Sequence, residues 1–332
     1  MTVLGKTQSF YDEESSNRRK SFLLVLIVMA LMGAIGFAIG FAIGRTVTGG
    51  EVGIAVAVII ALVISLATYY TGDSLLLAAS SAHEVSPNDV PQLMNVITEL
   101  TIAAGIPLPK VYIIDDSAPN AFATGRDPKH ASVAITSGLL QKLDREELQG
   151  VMGHELSHVR NLDIRYALLV GALVGSIALL ADFFLRFTFF GGMSGGGRDR
   201  GRDSGGGGLA AIMLVLALVL AVIAPIFARM VQLAVSRQRE YLADASSVEL
   251  TRNPVGLERA LATIAADPDV LEVANRATQH LYIVNPIKKF EKRASGMMST
   301  HPPILDRINR LRELSGQPPL DPKTTGALQG LD

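Results

Sequence analysis

The chain has 332 residues, and its 30 Lys and Arg against 31 Asp and Glu give a formal net charge of −1 at pH 7. This balance argues against a nucleic-acid partner, which would need a pronounced basic patch. The absence of cysteine excludes disulfides, a thiol nucleophile and thiolate metal ligands. Hydrophobic residues make up 49% and charged residues 18%, compared with about 25% charged in ordinary soluble domains. The composition favours an integral membrane protein in which any metal is held by His and carboxylate.

Long apolar blocks predict four transmembrane helices, since about 20 apolar residues suffice to cross a bilayer as a helix. The blocks are 21–44, 52–70, 164–187 and 209–228. The first is longer than the apolar core of a signal peptide, which is about 7–15 residues, so we expect an uncleaved span. The third is interrupted by Asp182 and Arg186, which leaves open whether it spans the bilayer or dips into the interface.

The basic cluster at 18–20 predicts a cytoplasmic N-terminus by the positive-inside rule. The first two spans would then return the chain to the cytoplasm for 71–163, and the next two would return it for 236–332. The Gly-rich loop 188–208 conflicts with this orientation, because it would lie outside while carrying three arginines. They are Arg198, Arg200 and Arg202. The loop composition is typical of a flexible linker.

Gly36, Gly40 and Gly44 repeat at four-residue spacing inside the first block. Such a ridge of small residues allows another helix to approach closely. The partner is either the second span of the same chain or a second copy.

The segment before the third block has mixed α and β character. Apolar residues at helical spacing predict a helix over 89–104. Short β-like stretches follow, punctuated by Pro and Gly. They are Val111–Ile114, Asn120–Thr124 and Ser132–Ile135. A helix is then predicted from Leu139 to about Asn161, and the tail after 236 is predicted to be mostly helical.

The residues that carry chemistry are His154-Glu155-Leu156-Ser157-His158, an H-E-x-x-H motif in a helical context. At i and i+4 two histidines share one helical face, so both rings can reach a single ion. Glu155 is rotated by about 100° from His154, which places its carboxylate beside the metal. Zinc lowers the pKa of a bound water toward about 7, and Glu155 can accept its proton. The alternative is a chance spacing of two surface histidines.

A catalytic zinc has three protein ligands, and without Cys the third must be His, Asp or Glu. If the third and fourth spans form a hairpin, the sequence leaving it returns close to the H-E-x-x-H helix. Glu240 and Asp244 stand there at i and i+4. Glu240 fits as the third ligand, and Asp244 fits as the acceptor of a ligand imidazole N–H. The alternative is a solvated charge cluster that caps a membrane helix.

Taken together, these motifs resemble the HtpX family of membrane zinc metalloproteases, which is related to the CAAX prenyl protease and the Oma-type peptidases. The resemblance covers nearly the whole chain and strengthens the assignment of Glu240. Its further motifs are Asn120-Ala121-Phe122-Ala123 and Ser299-Thr300-His301-Pro302-Pro303. The implied fold is mainly α and integral to the membrane, with four transmembrane helices and a zincin-like α+β catalytic domain. Two cytoplasmic segments would assemble that domain around one Zn²⁺ ion.

The resemblance also implies roles for residues outside the zinc ligands. Asn120, Ala121, Phe122 and Ala123 resemble an edge strand whose backbone pairs with an extended substrate peptide; a plain interior hairpin is the alternative. His301 resembles a histidine near the zinc that donates to the oxyanion; it could instead be a neighbour of a helix N-cap ahead of Pro302-Pro303. Arg307 would order the site or the structure around it.

The implied activity is hydrolysis of peptide bonds in misfolded or damaged membrane proteins, at the cytoplasmic face of a bacterial inner membrane, as part of stress-response quality control. The second hypothesis is a non-proteolytic membrane scaffold or transporter with a structural zinc, which the uncharged first, second and fourth blocks disfavour. A membrane hydrolase acting on another bond is the third. The oligomeric state is not predicted.

The chain is accordingly divided into five predicted parts. They are a polar tail over 1–20, a transmembrane hairpin over 21–70, a catalytic segment with the H-E-x-x-H helix over 71–163, a second hairpin with the Gly-rich loop over 164–235, and a helical catalytic segment with the third ligand over 236–332.

Overall fold

The computed structural model describes residues 26, 29–41, 44–168, 239–269 and 302–320. The chain divides into two compact units. Among the described residues, the helical unit contains those up to 69, and the mixed unit contains 70–168, 239–269 and 302–320. The tail over 1–20, the fourth predicted span, the Gly-rich loop and all but residues 164–168 of the third predicted span lie outside the described residues, as does His301.

The described part of the helical unit contains α1 (Met29–Phe41) and most of α2 (Val47–Ala79), whose residues from 70 onward belong to the mixed unit. Of the described helices, α2 is the one long and apolar enough to cross a membrane, by length and composition. Its large exposed side chains are mostly aliphatic, as a lipid-facing surface requires. The helix is longer than the predicted span 52–70. Its last turns continue past Asp73 because Leu76 and Leu77 are buried among apolar residues of the mixed unit.

The glycine ridge of α1 lies against α2. A methyl group added at Gly36 would come within 2.6 Å of the Ala57 Cβ atom and would overlap the Gly53 carbonyl oxygen. One added at Gly40 would overlap the Gly49 carbonyl oxygen. The spacing of small residues therefore serves close packing between two helices of the same chain.

The mixed unit contains a four-stranded sheet. Its strands are β1 (His83–Glu84), β2 (Lys110–Ile114), β3 (Ala121–Gly125) and β4 (Ala131–Thr136). The order is β1-β2-β4-β3, with β2 and β4 parallel and the other neighbours antiparallel. The three predicted strands are confirmed to within one residue at each end. The sequence analysis missed β1, because two polar residues carry no apolar alternation.

Seven α-helices of the mixed unit are described besides the end of α2. They are α3 (Pro91–Ala104), α4 (Ser137–Lys142), α5 (Arg145–Arg160), α6 (163–168), α7 (239–251), α8 (Pro254–Ala266) and α9 (Ile304–Leu314). The prediction of one helix from Leu139 to Asn161 is wrong at its start. The chain breaks before Asp144, whose carboxylate accepts the Glu147 N–H at 2.9 Å while the Glu147 side chain accepts the Asp144 N–H at 3.0 Å. This reciprocal capping box starts a new helix.

The core of the mixed unit is built around α5. This helix packs against α3, α8 and β3, and it buries Val151, Met152, Leu156 and Val159 completely. Close-packed interiors hold side chains in fixed rotamers. The H-E-x-x-H motif therefore lies on a helix that other elements of this unit enclose.

Candidate metal centre

His154, Glu155 and His158 lie in the last three turns of α5, which begins at the Asp144 cap. His154 and Glu155 are fully buried, and His158 is partly buried. The Nε2 atoms of the two histidines are 3.2 Å apart, and their rings meet edge to face. The i and i+4 spacing thus brings both imidazoles to a common point, as the sequence predicts.

Glu240 reaches this point from α7. Its Oε2 atom lies 3.5 Å from His154 Nε2, and its Oε1 atom lies 3.7 Å from His158 Nε2. Tetrahedral zinc holds its nitrogen and oxygen ligands at about 2.0–2.1 Å, which places neighbouring ligand atoms about 3.3–3.4 Å apart. One ligand atom from each of the three side chains lies within 4.8 Å of the others, so together they can hold a metal ion.

Glu155 provides a second test of whether a metal centre fits here. Both carboxylate oxygens are buried, and neither makes a well-formed hydrogen bond among the described residues. Burial raises the pKa of Glu155, although both histidines and the nearby Ala123 backbone lower it in part. A buried carboxylate left without hydrogen bonds is costly. Such a group is expected at a reaction centre, where its partners are substrate and water.

Asp244 lies one turn after Glu240 on α7 and holds His154 from behind. Its Oδ1 atom is 2.9 Å from His154 Nδ1, so the ring donates through Nδ1 and directs Nε2 toward the ligand cluster. Arg307 of α9 donates two hydrogen bonds to the same carboxylate, at 2.9 and 2.7 Å. Burial alone would raise the pKa of Asp244, but Arg307 and His154 lower it below its usual value.

Asp163 was missed by the sequence analysis, although it makes the same contact with the second histidine. Its Oδ2 atom is 3.1 Å from His158 Nδ1, and its Oδ1 atom accepts a hydrogen bond from Arg239 at 2.9 Å. Leu162 adopts a φ of 60° just before it, which turns the chain back after α5 ends. The sequence features that could have indicated this contact are a carboxylate five residues after His158 and an arginine directly before Glu240.

Two glycines of α5, also missed, let other helices approach the motif. A methyl group at Gly153 would lie 2.8 Å from Ser247 Oγ of α7, and one at Gly150 would lie 2.6 Å from the Leu257 backbone nitrogen of α8. Ser247 Oγ also donates to the Gly150 carbonyl oxygen at 2.7 Å. The face of α5 that carries Gly150 and Gly153 therefore determines the distance between α5 and α7. This distance also determines how closely Glu240 approaches the histidines.

The Asn120–Ala123 segment lies beside the same helix. β3 is the last strand of the described sheet order and packs against α5. Its side chains are buried: Ala121 and Ala123 belong to the core cluster that includes α5, while Phe122 faces Leu76 and Leu77. The Asn120 side chain accepts the Ala121 N–H at 3.1 Å. The structure therefore places the strand next to Glu155, whose carboxylate the Ala123 backbone approaches.

Comparison with known proteins agrees with this geometry. The model of peptidase family M48 matches residues 87–315, a range that includes the whole ligand cluster and Arg307. A protein named Protease HtpX homolog from Streptococcus uberis is 42% identical over 304 residues, 92% of this chain and 99% of that protein. A protein of the same name from Thermoanaerobacter pseudethanolicus is 41% identical over 308 residues, 93% of this chain and 99% of that protein. One from Listeria innocua is 48% identical over 246 residues, 74% and 81% of the two chains.

Matches of this extent fix the class of the enzyme as well as its ancestry. The family model and the protease names of the relatives make the protein a metallopeptidase, a hydrolase of peptide bonds. The chain belongs to peptidase family M48.

Proposed function

We propose that this membrane metallopeptidase is a zinc endopeptidase in which His154, His158 and Glu240 hold a single Zn²⁺ ion. The observation that carries the proposal is that one ligand atom from each of the three side chains lies within 4.8 Å of the other two. The two Nε2 atoms are 3.2 Å apart, and each has one Glu240 oxygen within 3.5 or 3.7 Å, near the roughly 3.3–3.4 Å expected between tetrahedral zinc ligands. The partners on the far nitrogens, Asp244 and Asp163, leave both Nε2 atoms free to bind metal.

Glu155 is the proposed general base and acid. Zinc, when bound, supplies Lewis acidity that polarises the scissile carbonyl and activates water. The Glu155 carboxylate accepts a proton from the attacking water and delivers a proton to the leaving amine nitrogen. Burial raises the pKa of Glu155, which brings its proton affinity closer to the value that such a relay needs near neutral pH.

β3 is the proposed substrate-binding strand. Asn120 through Ala123 would pair with an extended polypeptide through backbone hydrogen bonds, which bind without selecting strongly for side chains. The support is the position of β3 at one end of the sheet order and against α5. Such pairing would allow the protein to bind many different unfolded sequences. The alternative, in which β3 belongs to an interior hairpin, would require a further strand beyond β3.

His301 is the proposed hydrogen-bond donor to the oxyanion formed at the scissile carbonyl. The residue lies outside the described part of the chain. Support comes from its neighbours: Pro302 is buried, and Arg307, six positions further on, contacts Asp244 at 2.7 Å. The chain at the start of α9 therefore runs within reach of the centre.

The proposed substrates are misfolded or damaged membrane proteins, cleaved at the cytoplasmic face of the bacterial inner membrane. The proposed topology keeps four spans and a catalytic domain assembled from the two polar segments. α2 supports one of these spans. The contact between Asp163 and Arg239, 76 positions apart and on either side of the second predicted hairpin, supports the return of the chain to the same place.

The test combines metal analysis with proteolysis of the purified full chain in detergent. We expect Glu155→Gln to keep one zinc per chain while cleavage of an unfolded casein-like substrate falls at least about 100-fold. Glu240→Gln should lose both zinc and cleavage. Glu249→Gln is the matched control, since Glu249 lies exposed on the same helix. Cleavage by Glu155→Gln at the parental rate, or parental zinc content in Glu240→Gln, would overturn the proposal.

A further inference from the structure

The Asp163–Arg239 pair is more than a contact behind His158. Asp163 is 5% exposed, and the exposed fraction of the Arg239 side chain is 11%. The guanidinium carbon of Arg239 also lies 3.6 Å from the centre of the Tyr166 ring, and Tyr166 is buried. A cation stacked this closely over an aromatic ring in a largely enclosed site is held in place by the ring as well as by the carboxylate.

The pair matches the arrangement behind the other histidine. Asp244 bonds to His154 and is held by Arg307; Asp163 bonds to His158 and is held by Arg239. In both cases a carboxylate accepts from a histidine Nδ1–H, and an arginine stabilises the carboxylate. A neutral imidazole has two tautomers and a rotatable ring, so this bond determines which nitrogen faces the metal.

Arg239 differs from Arg307 in its place along the chain. It directly precedes Glu240 on α7, whereas Asp163 and Tyr166 lie at the beginning of α6. Fixing the guanidinium against Asp163 and Tyr166 therefore fixes the backbone from which the Glu240 side chain extends. One contact, between residues 76 positions apart, acts on two of the three ligands.

We propose that Asp163, Arg239 and Tyr166 form a positioning clamp that orients His158 and holds α7 at Arg239, so that Glu240 reaches the metal ion. The clamp rests on the zinc ligands of the proposed function. Asp163 selects the nitrogen of His158 that faces the ion, and Arg239 holds the Asp163 carboxylate in place and fastens α7. The Tyr166 ring restricts the guanidinium to one position.

The test measures zinc affinity of the metal-free full chain in detergent, by competition with a chromophoric chelator. We expect Asp163→Asn and Arg239→Gln each to bind one zinc with an affinity lower by about 10–100-fold, as for other groups that orient metal ligands. Tyr166→Phe, which keeps the ring, should bind like the parent, and Tyr166→Leu should bind more weakly. Parental affinity in both Asp163→Asn and Arg239→Gln would overturn the clamp.

Arg312→Gln is the matched control for the loss of a partly buried arginine. Arg312 donates to Glu258 at 2.7 Å, and the exposed fractions of the two side chains, 17% and 11%, are close to those of the clamp pair. No contact between either residue and a proposed zinc ligand is seen among the described residues. We expect parental zinc affinity from this variant. An equal loss of affinity here would mean that the clamp acts only through general stability.

A milder variant covers the case in which Arg239→Gln does not fold. Arg239→Lys keeps the positive charge but loses the planar fork that bonds and stacks at once, so we expect an intermediate affinity. Cobalt-loaded Arg239→Lys should also show an altered visible spectrum, because the ligands of a tetrahedral site have moved. Parental affinity together with a parental spectrum would refute the clamp.

Failure of the proposed function would look different in the same experiment. If the three ligands were assigned wrongly, the parent chain would bind no stoichiometric zinc, and Glu240→Gln would change nothing. If only the clamp were wrong, the parent would bind one zinc, Glu240→Gln would abolish binding, and the Asp163 and Arg239 variants would bind like the parent.

Discussion

Arg307 holds Asp244 through two hydrogen bonds, from Nε to Oδ2 at 2.9 Å and from Nη2 to Oδ1 at 2.7 Å. Both side chains are almost fully buried. A two-bond fork of this kind fixes the orientation of the carboxylate as well as its position. Because the Asp244 Oδ1 atom also accepts from His154, the orientation of the first proposed zinc ligand depends on an arginine of α9, 153 positions away in the chain.

Removing Arg307 is therefore expected to damage the fold as well as the centre. Arg307→Met keeps much of the volume but leaves the buried Asp244 carboxylate without its guanidinium partner, which costs about 3–5 kcal/mol. The free energy of unfolding of the detergent-solubilised protein measures this loss. Arg310→Met on the same helix is the control. Arg310 is exposed and stacks on the Tyr241 ring at 3.5 Å, a contact worth about 0.5–1 kcal/mol, so its loss should cost less than the loss of Arg307, and equal losses in the two variants would contradict the prediction.

Zinc affinity should rise with pH, because the proposed ligands of the metal-free protein hold protons. Burial alone would lower the pKa of His154, but the bonds to Asp244 and Glu240 outweigh it and raise the pKa to about 9. Below that pH zinc must displace a proton, so we expect the apparent affinity to rise about tenfold per pH unit for each proton released. Chelator competition at pH 6.5, 7.5 and 8.5 measures the slope.

Asp244→Asn provides the control for this pH dependence. Without the carboxylate the pKa of His154 should fall back, and the slope between pH 7.5 and 8.5 should flatten. The raised pKa also means that protonated His154 stabilises the metal-free fold below a pH of about 6.5, and that this stabilisation is lost as the pH rises through about 9. A flat affinity for the parent across the whole range would contradict the assignment of His154.

Gly153 is expected to control the distance between α5 and α7. An added methyl group would lie 2.8 Å from Ser247 Oγ and 3.2 Å from Thr251 Cγ2, so α7 would have to move. We expect Gly153→Ala to lower stability by about 1–3 kcal/mol and to weaken zinc binding, because Glu240 moves with α7. Thermal unfolding and chelator competition measure the two effects.

Ser247→Ala separates steric crowding at Gly153 from other effects. Alone it removes the bond to the Gly150 carbonyl oxygen, at a cost of about 1 kcal/mol. Combined with Gly153→Ala it also removes the nearest clashing atom. The double variant should therefore bind zinc more tightly than Gly153→Ala alone. If it bound equally weakly, crowding against Ser247 would not be the cause.

The parts of the site that the sequence predicts are those set by local spacing. His154 and His158 share a helical face whatever surrounds them, and apolar periodicity was enough to find α3, β2 and β4. The prediction of Glu240 as the third ligand required the assumption that the third and fourth spans form a hairpin and return the chain to the H-E-x-x-H helix. The arginine contacts of Asp163 and Asp244 join residues on distant segments, and no periodicity in one segment records such a pairing. The break before Asp144 was missed because its capping box interrupts a pattern that otherwise continues to be helical.

The contact between α1 and α2 predicts opposite outcomes for two chemically identical substitutions. A methyl group at Gly40 would overlap the Gly49 carbonyl oxygen and lie 2.9 Å from the Gly53 Cα atom, whereas one at Gly33 would lie 3.6 Å from Ile54 Cγ2, an ordinary contact. We expect Gly40→Ala to destabilise the helix pair by about 1–3 kcal/mol. Gly33→Ala should be neutral or stabilising, since alanine favours helix by up to about 1 kcal/mol over glycine. Thermal unfolding in detergent compares the two, and equal stability would show that the small residues of α1 do not serve this contact.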